Sequence, residues 1–161
     1  MNGRLLNIKK STWLYVSLVI NAILFLSLSM FFSITYGEYQ AIFYFFCICT
    51  GLHQMVRSAL FGYDSSCYLG VLLFFIGLFY FWAVYFEITW LYVAFIALSF
   101  AFSSFSTGIW FKQPFQIFLS CSIFFEFILI ILLKFNIFSL WIFVAISVAN
   151  VLVLVVKFFF L

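Results

Sequence analysis

Cys121-Ser-Ile-Phe-Phe-Glu-Phe-Ile-Leu-Ile-Ile-Leu-Leu133 is the stretch that decides the fold. Apart from one serine and one glutamate it is continuously apolar. Extended back to Pro114 it reaches about 20 residues, the length of a helix that crosses a bilayer. Glu126 stands in its middle. A carboxyl group at membrane depth costs roughly 2.5–3.5 kcal/mol on insertion scales, so it signals a partner or a task.

The rest of the chain has the same character. Of its 161 residues 69% are hydrophobic and 7% charged, with a mean hydropathy of +1.34. Soluble domains carry about 25% charged residues, and a chain this poor in charge has no means of covering a water-facing surface. The 28 Phe residues read as lipid-soluble filler interchangeable with Leu and Ile; an aromatic-lined cavity is the alternative that composition leaves open. The net charge is +3, but the basic residues are scattered, which excludes a nucleic-acid patch. Cys47 and Cys49 lie about 200° apart around a helix, so they share no ligand. Cys67 and Cys121 stand alone. The cysteines read as small hydrophobes, with no metal, cofactor or disulfide framework.

Six segments satisfy the length of a span: 11–35, 40–58, 66–86, 89–109, 114–133 and 137–156. The expected fold is all-α, a single integral membrane domain over 1–161. The first apolar run passes Ile34 without a small-x-small cleavage site, so it reads as a retained span rather than a signal peptide. The breaks are short and polar. Asp64, Ser65 and Ser66 offer oxygens to the free N–H groups that open the third helix. Pro114 suits the first turn of the fifth.

Charge orients the chain. With a cytoplasmic N-terminus, Arg4, Lys9, Lys10, Arg57, Lys112 and Lys157 fall inside and only Lys134 outside, a strong positive-inside bias. Glu38 and Glu87 fall outside. Both termini are then cytoplasmic, in a plasma membrane of the bacterial inner-membrane kind. Sliding the chain by 49 residues lays Phe86, Ile88 and Leu91 on Phe135, Ile137 and Leu140, so the expected plan is three tandem helical hairpins. That plan resembles the architecture of the small acid-resistance membrane proteins of bacteria. No motif accompanies the likeness, and it implies no site residues.

Few residues carry candidate chemistry. Ser122 lies one turn before Glu126 on the same stripe, and the 49-residue shift places Glu126 on Gly77, so Glu126 is expected to face a neighbouring helix. At 1.5 Å per residue Glu126 lies about 18 Å above the inner end of its helix and Asn21 about 14 Å above its own, depths that allow a bond between them. His53 and Asn150 lie near 8–10 Å by the same rise, able to pair with each other but separated from Glu126 by a water. The bland role for Glu126 is a protonated carboxyl donating to an amide or carbonyl. The sharper one is a proton or cation site, and a contact with a partner subunit is the third. His53 and Arg57, one turn apart, either hold an anionic headgroup or simply anchor the helix at the interface. Ser99, Ser103 and Ser106 form a stripe suited to close helix packing. Asn21 with Ser17, and Asn150 with Ser147, form similar stripes, and convergence of all these faces would give a modestly polar centre.

No H-E-x-x-H, G-x-S-x-G or phosphate-binding glycine loop occurs, so no enzyme is expected. The expected function is a non-catalytic membrane-embedded subunit or accessory protein, whose partners are membrane lipids, other membrane helices or a second copy. A small transporter or channel using Glu126 is the alternative, followed by lipid binding or stress protection.

Overall fold

The computed structural model describes the backbone of residues 2–160 apart from 38, 89, 90 and 138, and side chains from residue 9 to residue 159. The Arg4 side chain, Glu38 and Thr89 therefore lie outside the described residues. The protein is all-helical there, with six helices: α1 (Asn2–Tyr36), α2 (Ala41–Phe61), α3 (Asp64–Tyr85), α4 (Tyr92–Trp110), α5 (Pro114–Lys134) and α6 (Leu140–Phe160). Five are long and apolar enough to cross a bilayer: Lys9–Tyr36 within α1, then Asp64–Tyr85, Tyr92–Trp110, Pro114–Lys134 and Leu140–Phe159. α2 matches them in length, but Thr50, His53, Gln54 and Arg57 make its second half more polar.

Local chemistry sets the ends. Pro114 opens α5, where its missing N–H is no loss. Asp64 Oδ1 accepts the Ser65 N–H at 2.7 Å in the first turn of α3. Gly62, at φ 75°, closes α2 with its N–H on the Ser58 carbonyl. After α3 and α5 the chain turns alike. Glu87 (φ 55°) and Asn136 (φ 54°) are both left-handed, and the next N–H reaches back five residues, Ile88 to Ala83 at 2.8 Å and Ile137 to Leu132 at 3.1 Å. This is the double-bonded helix ending that satisfies two terminal carbonyls at once.

Helix backbones approach one another only in chain order, α1 on α2, α2 on α3 and so on to α6, among the described residues. Partner numbers fall on one helix as they rise on the next, so neighbours run antiparallel. Gly77 meets Tyr44 and Cys47, for example, whereas Gly70 meets Gly51 and Met55. The result is a row rather than a closed ring, and the polar faces of the six helices do not converge on one centre.

Small residues hold the middle of the row. A Cβ on Gly51 would lie 2.6 Å from the Phe74 nitrogen and 2.7 Å from the Gly70 oxygen, so α2 and α3 touch backbone to backbone. α4 is gripped on both sides. Ser103 donates to the Tyr68 carbonyl of α3, and Ser120 of α5 donates to the Ala101 carbonyl at 2.9 Å. Ser99, Ala101, Ser103 and Ser104 are fully buried, as the packing reading of that stripe expects; Ser106 is half-buried. The flanks are different. α6 is almost entirely exposed and α1 nearly so, with large apolar side chains all round, a surface suited to lipid.

Replacing Gly51 with Val should force the α2 and α3 backbones apart. Overpacking of this kind costs about 1–3 kcal/mol, so the melting midpoint in detergent should fall clearly below that of the wild type. The same change at exposed Ala59 should leave it nearly unmoved.

Candidate functional site

Glu126 sits on the α5 face that meets α6. Its Oε2 accepts the Ser147 hydroxyl at 2.7 Å and its Oε1 accepts the Asn150 amide at 2.8 Å. Asn150 is the hub of the cluster. Its Nδ2 also reaches the Ser122 carbonyl at 3.2 Å, and its Oδ1 accepts the Ser122 hydroxyl at 2.7 Å. Both protons of the amide and its oxygen are thereby engaged, and Ser122, Glu126, Ser147 and Asn150 form one connected polar patch between two otherwise apolar helices. One ring contact, Phe115 against Phe158 at 5.3 Å, and Lys157 over the Phe118 ring at 5.9 Å join the same pair of helices at the chain-terminal end.

Several expectations are corrected here. Glu126 does face a neighbouring helix, but it is α6, whereas Gly77 faces α2. The Asn150 amide donates to Glu126 directly, with no intervening water. The depth arithmetic erred at the helix end: α6 continues to Phe160 rather than 156, and four more residues raise Asn150 by about 6 Å. The carboxyl group accepts the Asn150 amide at Oε1 and the Ser147 hydroxyl at Oε2. Asn21 does not meet Glu126; it donates within its own helix to the Ser17 carbonyl at 2.8 Å and to its hydroxyl at 3.3 Å. His53 does not meet Asn150. Its Nδ1 lies 3.4 Å from Ser17 Oγ, and with Asn21 and Thr50 it lines a groove of about 210 Å³ between α1 and α2.

His53 and Arg57 part company despite their spacing. His53 turns to α1, while exposed Arg57 lies over the Tyr63 ring at 5.7 Å, the behaviour of an interface anchor. No group of three or more metal-ligating side chains occurs among the described residues. Ser147, read from the sequence only as part of a small polar stripe with Asn150, belongs to the Glu126 cluster. Its signal was present: it stands one turn before Asn150, as Ser122 stands one turn before Glu126.

Chemically this patch is an adhesive. Without water, each polar group in hydrocarbon needs a protein partner, and bonds between membrane helices contribute about 0.6 kcal/mol on average, up to about 1.7. Glu126 is not among the residues that line the clefts between α1, α2 and α3, between α3 and α4, or beside Asp64. Compared with known protein families, curated proteins and solved structures, the chain matches none. The likeness to acid-resistance membrane proteins thus has no match behind it.

Asn150→Leu removes the hub and should destabilise the fold by about 1–2 kcal/mol, read as a lower melting midpoint in detergent. Glu126→Gln retains an acceptor for Asn150 and a donor for the Ser147 oxygen, so it should be far milder than Glu126→Leu. A double-mutant cycle between Glu126→Leu and Asn150→Leu should show coupling well above that of distant pairs.

Proposed function

We propose that this chain is a non-catalytic, membrane-embedded subunit or accessory protein. It crosses a plasma membrane six times as three tandem hairpins, with both termini cytoplasmic. The observation that carries this reading is the open row itself: among the described residues helix backbones approach only in chain order, leaving broad apolar flanks on α1 and α6 for lipid or for partner helices. The deep acid, which a carrier would use for binding, is here engaged in fastening α6.

Other features support the threading. Lys10 lies over Phe61 at 5.9 Å, Arg57 over Tyr63 and Lys157 over Phe118, which gathers these cations with Lys112 at the end of the row that holds the α2–α3 and α4–α5 turns. Lys134 closes α5 at the other end. This asymmetry is what the positive-inside rule requires of a cytoplasmic face. α2 would make its crossing flanked by α1 and α3, which cover its polar second half.

Affinity capture of the tagged protein in mild detergent should yield a membrane partner or a second copy; recovery of a lone monomer would remove the subunit reading. Tags at both ends should be inaccessible from outside intact cells. The rival reading is a proton or cation carrier. It predicts that Glu126→Gln abolishes pH-dependent uptake in proteoliposomes, whereas a purely adhesive Glu126 leaves uptake at the level of protein-free vesicles with either residue.

A further inference from the structure

At the other end of the row, away from Glu126, the first three helices enclose a cleft of about 260 Å³. α1 contributes Phe32 and Tyr36, α2 contributes Tyr44, and α3 contributes Phe81 and Tyr85; Glu87 lines it from the turn that follows α3. Phe81 is the hub of the rings. Its centroid lies 5.7 Å from Phe32, 5.9 Å from Tyr44 and 5.9 Å from Tyr85. Among the described residues no Lys or Arg lines the cleft, and Glu87 is the carboxylate that does.

We propose that this aromatic cleft binds an organic ammonium group, quaternary or methylated, with Glu87 as counter-charge. Aromatic faces carry negative potential and attract a cation within about 6 Å of the ring centre, most strongly when water is excluded. A carboxylate beside such faces adds a full opposite charge. A hard metal ion is a poor fit, since it needs several oxygen ligands and the described lining offers one carboxylate among rings. An anion would face the Glu87 carboxylate and the negative faces of the rings. An alkylated ammonium satisfies both features: its methyl groups pack on rings and its charge is diffuse.

The parts are held in place. Tyr44 is 2% exposed, and its hydroxyl donates to Gln40 Oε1 at 3.0 Å. Glu87 occupies a left-handed conformation pinned by its N–H on the Val84 carbonyl at 3.2 Å and by the next N–H on Ala83, so the carboxylate is carried on a rigid turn. Tyr36 and Tyr85, exposed at 62% and 68%, flank the opening. An interfacial aromatic belt accounts for tyrosines at this level; Glu87 on its exposed turn adds a negative charge beside them. The ammonium can come from a free organic cation or from a lipid headgroup, and the proposal goes beyond the subunit reading without depending on it.

The test uses the full-length protein in a maltoside detergent. Calorimetric titration with choline and with tetramethylammonium should show saturable binding, and 3,3-dimethylbutan-1-ol, the uncharged isostere of choline, should bind at least about tenfold more weakly. Glu87→Gln, on an exposed turn, should weaken choline binding about fivefold or more, and Tyr36→Leu combined with Tyr85→Leu should do likewise with little change in melting midpoint. Native mass spectrometry after exchange into phosphatidylcholine or phosphatidylglycerol separates the sources. Retention of the choline-headed lipid that is lost in Glu87→Gln identifies a headgroup, and binding of free choline without such retention identifies a soluble cation. Equal binding of the isostere, indifference to Glu87→Gln, or neither choline binding nor selective lipid retention would overturn the proposal.

Discussion

Contact between helix backbones is the constraint on which this structure depends. Between two helices in lipid the hydrophobic effect is silent, because the tails they displace are as oily as the side chains. Adhesion must come from close approach and from polar bonds. Gly51, Gly70 and Gly77 permit the first between α2 and α3. Across α4 the serines do both, being small enough to let backbones near and polar enough to bond the carbonyl opposite. Cohesion therefore peaks in the middle of the row and thins toward α1 and α6.

α6 shows what happens where small residues run out. Its face toward α5 carries no glycine, and the two helices are joined by Ser122, Glu126, Ser147 and Asn150 with rings at one end. A glutamate that looks at first like a ligand for something outside the protein is satisfied from within it. The same logic separates His53 from Arg57: one side chain turns inward to Ser17, the other outward over Tyr63.

The helices themselves were legible from residue order, because length, apolarity, Pro114 and Gly62 act locally. So was the small-residue stripe on α4. Which helix each polar face would meet was not legible, since helical spacing says which residues share a face and nothing about the neighbour opposite. Misjudging where α6 stops by four residues moved Asn150 out of reach of Glu126, and the assumption of a common centre paired Asn21 and His53 with the wrong partners. The aromatic cleft at Glu87 had no local signature either. Its rings come from three helices, at positions as far apart as Phe32 and Tyr85, and only their antiparallel packing brings them together.

The α5–α6 fastening also imposes an order on biogenesis. α5 precedes α6 along the chain, so an α5 that has entered the bilayer ahead of α6 carries Glu126 without Ser147 and Asn150 against it. Until α6 arrives, the carboxyl group lies in hydrocarbon with those two bonds unmade. Docking of α6 makes them. The last helix in the chain is therefore the one that satisfies this acid, and a chain cut short before it would leave Glu126 without either partner.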